Sequence, residues 1–142
     1  MPNLPIAGFG TIAAPNMAAG EVNALLFTNA GANMQSTSDQ AFVKNGTFTT
    51  YVITKVMARH KTGAASVVCA GGVYTAAAKG GSALVAAAQS WVNLTATNKI
   101  VDASLAAVIA TDAQTATPIL SLTTGSTGAC TADLFIFGFA LD

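Results

Sequence analysis

Long polar side chains, which cover the solvent-facing stripe of a soluble helix, are scarce in this sequence. Glu, Lys, Arg and Gln together account for only 11 of the 142 residues, too few to cover the exposed side of a helical bundle. Val, Ile and Thr, whose branched side chains fit a pleated sheet, account for 36 residues. The 13 glycines are scattered along the chain, as the turns of an all-β protein require. The sequence therefore predicts strands.

Period-2 alternation indicates antiparallel strands that have one solvated face. In residues 50–60, unbroken alternation would place Val56 and Ala58 on one face and Tyr51 and Ile53 on the other. In residues 90–96 it would place Trp91 and Leu94 on opposite faces.

Turn signals divide the chain into about eight candidate strands at intervals of roughly 8–12 residues, which is typical of a sandwich, a jelly roll or a small barrel. These strands are predicted near residues 22–29, 36–43, 48–60, 64–75, 83–95, 99–109, 117–123 and 131–141. The predicted fold class is an all-β antiparallel β-sandwich of the jelly-roll type.

The last predicted strand is apolar on both faces. Phe135, Phe137 and Phe139 share one face, and Leu134 and Ile136 lie on the other. A strand of this kind is expected at the centre of a sheet, covered on one side by the opposing sheet and on the other by a neighbouring element or another subunit. The glycine at position 138 should allow a neighbouring group to approach the strand closely.

The first 20 residues differ from the rest in composition. They hold three of the four prolines, three glycines and no charge, so they are poor candidates for a strand or a helix. Their apolar side chains would nevertheless need cover. We expect residues 1–20 to form an extended arm that lies on another surface or packs on its own domain, and residues 21–142 to form the sandwich.

The charge content excludes several classes of protein. Six positive and six negative residues give zero net charge at 8% charged residues, whereas a nucleic-acid-binding protein needs a basic stripe. The mean hydropathy of +0.55 argues against disorder. The apolar stretches are too interrupted for a spanning helix, and the first residues lack the pattern of a secretory signal.

A chain with so little charge has little protection against aggregation as a free monomer, which predicts a surface largely covered within an assembly.

Candidate catalytic groups are few. His60 is the only histidine and lies between Arg59 and Lys61, so we expect a surface histidine at a turn. Glu21 is the only glutamate, and the aspartates are scattered, whereas glycosidase chemistry needs paired carboxylates. We therefore predict no catalytic residues, no cofactor and no metal, and the protein is not expected to be an enzyme.

Two further pairs of residues have alternative interpretations. Cys69 and Cys130 lie in apolar or small-residue surroundings and are expected to be free structural cysteines, although pairing is possible. Trp91 and Tyr51 could form an exposed platform for a sugar, but packing in the core or a subunit interface is the preferred interpretation.

Several short stretches carry a family resemblance: AGGVYTAAAKGG at 70–81, VAAAQ at 85–89, NLT at 93–95, PILSLTT at 118–124 and TADLFIFG at 131–138. They resemble the jelly-roll head decoration (cement) proteins of tailed bacteriophages. The resemblance implies a structural virion protein that is made in the host cytoplasm, binds the outer surface of the capsid and stabilises it by bridging capsomers. It also implies two partners, the major capsid protein and further copies of the chain in a dimer or trimer, with no nucleic acid or membrane. The alternative hypothesis is a tail-fibre or receptor-binding β-module that recognises glycans.

Overall fold

The computed structural model describes residues 23–106 and 112–142, so the predicted arm at residues 1–20 lies outside the described residues. Within them the chain forms nine strands and no helix. The strands are β1 (Ala24–Asn33), β2 (Gln40–Ala41), β3 (Val43–Lys44), β4 (Tyr51–Gly63), β5 (Ala70–Ala76), β6 (Gly80–Val85), β7 (Ile100–Ala103), β8 (Ile119–Thr124) and β9 (Cys130–Ala140).

The strands form two antiparallel sheets. The five-stranded sheet has the order β3-β1-β9-β4-β7, and the four-stranded sheet has the order β2-β8-β5-β6. Apart from the two-residue strand β3, this is the jelly-roll arrangement, because successive strands alternate between the two sheets except at the β3–β4 connection and the β5–β6 hairpin. The predicted all-β antiparallel sandwich is therefore confirmed.

The core lies between the inner faces of the two sheets. Its largest fully buried side chains are Trp91, Tyr51, Phe27, Leu26, Met34, Ile53, Leu84, Leu94, Leu120, Leu122 and Leu134. Three aromatic rings at one end, those of Phe27, Phe48 and Tyr51, meet edge to face with centroids 4.8–5.8 Å apart. Aromatic rings prefer this geometry because the positive edge of one meets the negative face of another.

A β-bulge in β4 corrects the predicted alternation. The pairing of β4 with β9 shifts register between Ile53 and Lys55, and an extra residue at this point reverses the faces that follow. Tyr51 and Ile53 before the bulge and Val56 and Ala58 after it are consequently all buried. The prediction that the two pairs lie on opposite faces was wrong because it assumed an uninterrupted period of two.

Residues 83–95 do not form one long strand either. β6 ends at Val85, and a turn follows in which the Gln89 N–H donates to the Ala86 carbonyl. Trp91 and Leu94 are both buried because the loop after the turn folds over the edge of the core.

Three other predicted strands are shorter in the structure. The segment 64–75 becomes a strand only at β5, the segment 36–43 contributes only β2 and the start of β3, and β7 ends at Ala103. The last part of the predicted strand 99–109 falls in the gap between the described ranges.

Candidate interaction surface

The two faces of β9 have different environments. β9 is the central strand of the five-stranded sheet, between β1 and β4, as its sequence predicts. Leu134 and Ile136 face the opposing sheet and are fully buried. Phe135, Phe137 and Phe139 face the other way and are only half-buried, so the described residues supply one of the two predicted covers.

Neighbouring strands extend this apolar surface. In β1, Leu25 lies opposite Phe137. In β4, Val52 lies opposite Phe139 and Met57 opposite Phe135. Directly opposed residues of an antiparallel pair share a face of the sheet. We call the surface formed by Leu25, Val52, Met57, Phe135, Phe137 and Phe139 the aromatic face.

The charged groups around the aromatic face are in contact with opposite charges, three cations with two carboxylates, which leaves a net charge of +1. Asp133 precedes the phenylalanines on the same side of β9, and its Oδ2 accepts a 2.8 Å hydrogen bond from Arg59 Nη2. Lys61 Nζ lies 3.4 Å from Asp133 Oδ1. Lys55 lies opposite Phe137, and its Nζ is 3.3 Å from Oδ1 of Asp102 in the edge strand β7. The Arg59 guanidinium also lies over the ring of Phe135, 5.5 Å from its centroid, which is within the range of a cation–π contact.

Asp133 is the best-satisfied carboxylate on this side of the sheet. Burial raises the pKa of Asp133, but the hydrogen bonds from Arg59 and the Gly31 backbone N–H and the charge of Lys61 outweigh that effect and lower it. The Gly31 N–H donates to Asp133 Oδ1 at 2.8 Å. The carboxylate therefore stays ionised and fixes β1, β4 and β9 relative to one another.

Near Gly138, the chains on either side of β9 approach the strand closely and are joined across it by a hydrogen bond between two side chains. Gly138 lies opposite Ala24 of β1 and Ile53 of β4, and a Cβ at this position would clash with the Val52 carbonyl oxygen. The predicted close approach at position 138 is confirmed. Beside it, Thr54 Oγ1 donates a 2.6 Å hydrogen bond to Asn23 Oδ1. Because Thr54 and Asn23 are both exposed, this bond spans β9 on the solvent side of the sheet.

A second exposed apolar patch lies near the other end of β9. Val67 is 48% exposed and Val68 is 55% exposed. Val68 has φ 47°, a left-handed conformation that is unusual for a branched side chain and costs of the order of 1–3 kcal/mol. The Val67 N–H donates to Ser126 Oγ at 3.1 Å, which holds the patch beside the segment that leads into β9.

His60 is not the surface histidine at a turn that its sequence neighbours predict. The strand continues to Gly63, so His60 lies within β4, opposite Ala132, and is buried on the inner side. Its Nε2 has no hydrogen-bond partner among the described residues. Arg59 and Lys61 face outward towards Asp133, so the strand separates the imidazole from that carboxylate.

Trp91 and Tyr51 are core residues, as the preferred interpretation predicts. Trp91 Nε1 donates a 3.1 Å hydrogen bond to the Gly71 carbonyl, and the Tyr51 hydroxyl donates at 2.5 Å to the Ala116 carbonyl. Burial raises the pKa of the Tyr51 hydroxyl. Since both rings are buried, they offer no exposed platform for a sugar.

The two cysteines are free and buried, in agreement with the prediction. Burial raises the pKa of Cys69 to about 11 and also raises that of Cys130. A thiol that is buried and protonated near neutral pH is a poor nucleophile.

The remaining candidates are not brought together within the described residues. Glu21 lies outside the described residues. Among residues 23–106 and 112–142, no group of three or more His, Cys, Asp or Glu residues could hold a metal ion, and no helix is long and apolar enough to cross a membrane. A pocket of about 240 Å³ is lined by neutral groups, among them Asn33, Gln35 and Thr62.

Sequence reasoning identified part of this surface. It placed the three phenylalanines on one face, and the same alternation could have added Asp133. It missed the patch at Val67 and Val68, because these residues lie in a loop without periodicity.

The fold and the aromatic face define an antiparallel jelly-roll sandwich with one sheet that the described part of the chain covers incompletely. Comparisons with protein-family models, with curated proteins and with solved structures found no match for the chain.

Proposed function

We propose that this protein is a structural virion component that binds the outer surface of a bacteriophage capsid and stabilises it by bridging capsomers. The observation that carries the proposal is the aromatic face. Three half-buried phenylalanines in the middle of a sheet, surrounded by charges that are already paired, are suited to packing against another protein. Interface cores are enriched in aromatic residues and depleted of unpaired charge.

A bridging protein needs two contact surfaces, and two apolar surfaces support this requirement. Val67 and Val68 lie beside the segment that leads into β9, whereas Phe139 lies at the far end of the strand. Phe139 is nine positions after Cys130 in the same strand, which corresponds to roughly 30 Å. Contacts at both ends would let one copy hold two shell subunits, and binding would stabilise the assembled shell by mass action. Further copies of the chain, arranged as a symmetric dimer or trimer, would multiply these contacts.

The experiment is co-sedimentation of the purified protein with undecorated shells of the phage that encodes it. Phe137→Lys places an unpaired charge at the centre of the aromatic face and should weaken shell binding by at least about tenfold, which is a loss of about 1.4 kcal/mol. Thr97→Lys is the matched control because Thr97 is exposed in the loop before β7 and is not part of the aromatic face, and its binding should equal that of the original chain. The circular dichroism of both variants checks that the sandwich is intact.

Mass spectrometry of purified virions supplies the second arm. A cement protein should be present in a copy number comparable to that of the major shell protein, whereas a tail component should be present in a few copies. Absence from the virion, or binding to shells that Phe137→Lys leaves unchanged, would contradict the proposal. The alternative of a glycan-binding module loses its main support, because Trp91 and Tyr51 are buried.

A further inference from the structure

We propose that two copies of this chain associate through the outer edge of β7, so that their five-stranded sheets join into one continuous sheet. The proposal concerns the free protein and does not depend on the proposed function. It follows from the direction of the backbone groups of β7, from the contacts at both ends of the strand and from the exposure of one apolar side chain.

The backbone groups of β7 alternate between β4 and the outer edge. Within the described part of the chain, β4 is the one neighbour of β7 in the sheet. The His60 N–H donates to the Lys99 carbonyl at 2.7 Å. In an antiparallel pair, residues that bond the neighbouring strand alternate with residues whose N–H and C=O groups point away from it. In the register of β4 and β7, Ile100 and Asp102 therefore direct these groups outward.

The contacts on either side limit the open edge to these two residues. Before β7, the Asn98 N–H donates to Thr95 Oγ1 at 2.7 Å, and the Asn98 carbonyl accepts from the Thr95 N–H at 2.9 Å. After β7, the Ser104 N–H donates to Gln89 Oε1 at 2.9 Å. Each copy thus presents a short edge of two donors and two acceptors, to which no other described residue is hydrogen-bonded.

A two-fold axis at Val101, perpendicular to the sheet, matches this edge to itself. Antiparallel pairing about the axis places Ile100 of each copy opposite Asp102 of the other, and each such pair exchanges two N–H···O=C bonds. All the outward groups of both strands are then used. Like charges stay apart, because each Asp102 faces an isoleucine and contacts Lys55 of its own chain.

Ile100 adds an apolar component to the joint. It is 51% exposed and pairs with Arg59, so its side chain lies on the same side of the sheet as the aromatic face. The second copy would cover part of it. Since a perpendicular axis keeps both aromatic faces on one side of the joined sheet, the dimer would present two of them to neighbouring shell subunits if the proposed function also holds.

The joint is short, so the dimer should be weak. Four residues of strand span about 13 Å, and contacts of this size belong to the low end of specific interfaces. We expect a concentration-dependent equilibrium with a Kd in the micromolar range. Sedimentation equilibrium of the full-length chain from about 1 µM to about 1 mM should show the mass rising from monomer to dimer.

The first pair of variants tests the outward backbone groups. Ile100→Pro removes an N–H that points away from β4, so β7 can still pair with β4, and it should raise the dimerisation Kd by at least about tenfold. Ile100→Val keeps the N–H and a branched apolar side chain and should leave the Kd unchanged. The circular dichroism of both variants checks the sandwich.

The second pair of variants tests the register without altering these groups. Two copies of Val101→Cys would face each other across the axis with Cα atoms about 4.5 Å apart, which allows a disulfide. Oxidised glutathione should therefore produce a covalent dimer on non-reducing electrophoresis. In Ala103→Cys, the matched control, the two thiols would be about 13 Å apart and should give no such product. The buried Cys69 and Cys130 are the same in both variants.

Three outcomes would overturn the proposal. A chain that stays monomeric over the whole concentration range would mean that another occupant, or none, lies along β7. A dimer whose Kd is unchanged in a folded Ile100→Pro variant would place the contact elsewhere. A dimer that Val101→Cys does not cross-link would exclude the register, and this result decides the matter if Ile100→Pro does not fold. None of these measurements involves a shell, so they separate the dimer from the proposed function.

Discussion

The two faces of β9 contain side chains of similar hydrophobicity in very different surroundings. Leu134 and Ile136 are fully buried between the sheets, whereas Phe135, Phe137 and Phe139 on the opposite side remain half-exposed within the described residues. The inner side chains hold the two sheets together. The outer ones add less to the stability of the sandwich and remain available for contact with another segment or partner.

The largest expected effect comes from the inner face. Leu134→Ala removes a fully buried side chain and leaves a cavity, so it should lower the free energy of unfolding by about 4 kcal/mol. Urea denaturation followed by circular dichroism measures this value. A loss below about 1 kcal/mol would show that the inner face is less tightly packed than the structure indicates.

A somewhat smaller effect is expected where β9 is squeezed between its neighbours. Gly138→Ala introduces a methyl group against the Val52 carbonyl, and relief requires the strands to move apart, at a cost of about 3 kcal/mol. The same denaturation experiment checks it, with Ala30→Ser at an exposed position of β1 as the neutral control. A variant as stable as the original chain would contradict the close approach of β4 and β9.

The ionic anchor beside the phenylalanines should contribute less again. Asp133→Asn leaves Arg59 and Lys61 without their partner and should cost about 2 kcal/mol at neutral pH, because water screens the half-exposed Arg59.

The effect of Asp133 should also depend on pH. Its pKa in the folded state is lowered, so its contribution is present above the unfolded-state pKa of about 3.9 and is lost as the pH falls through the folded-state pKa. The stability difference between the original chain and Asp133→Asn should be constant from pH 7 to about 5 and should shrink below about pH 4. A difference that grows on acidification would refute this assignment.

The smallest effect is expected on the outer face. Phe137→Ala removes a half-buried ring and leaves no enclosed cavity, so it should cost about 1 kcal/mol. Comparison with Leu134→Ala under identical denaturation conditions measures the asymmetry of β9 directly. Equal losses from the two substitutions would mean that both faces are equally covered in the free protein.

The sequence predicted the fold class because the shortage of long polar side chains and the abundance of branched ones leave few alternatives to a sheet. It also placed the terminal strand at the centre, since only such a strand can be apolar on both sides. The faces of β4 were mispredicted because the bulge after Ile53 shifts the alternation by one residue, and nothing in the local composition marks it.

The environment of His60 could not be predicted from its neighbours for a related reason. Arg59 and Lys61 lie on the outer side of β4, where they contact Asp133 from a distant part of the chain. Their charges therefore do not describe the environment of His60, which faces the opposite side of the strand. The partner of a charged pair is set by the register of β4 with β9, which depends on tertiary structure. Trp91 was expected in the core or in a subunit interface, and it lies in the core, which it reaches from a loop rather than from the predicted strand.

The pairing of Arg59, Lys61 and Asp133, and of Lys55 with Asp102, has a consequence for association kinetics. These groups leave a net charge of only +1 and create little long-range field, so electrostatic attraction guides diffusion towards this surface only weakly. Encounters through it should therefore be slow by the standards of charge-steered proteins and nearly the same in dilute and concentrated salt.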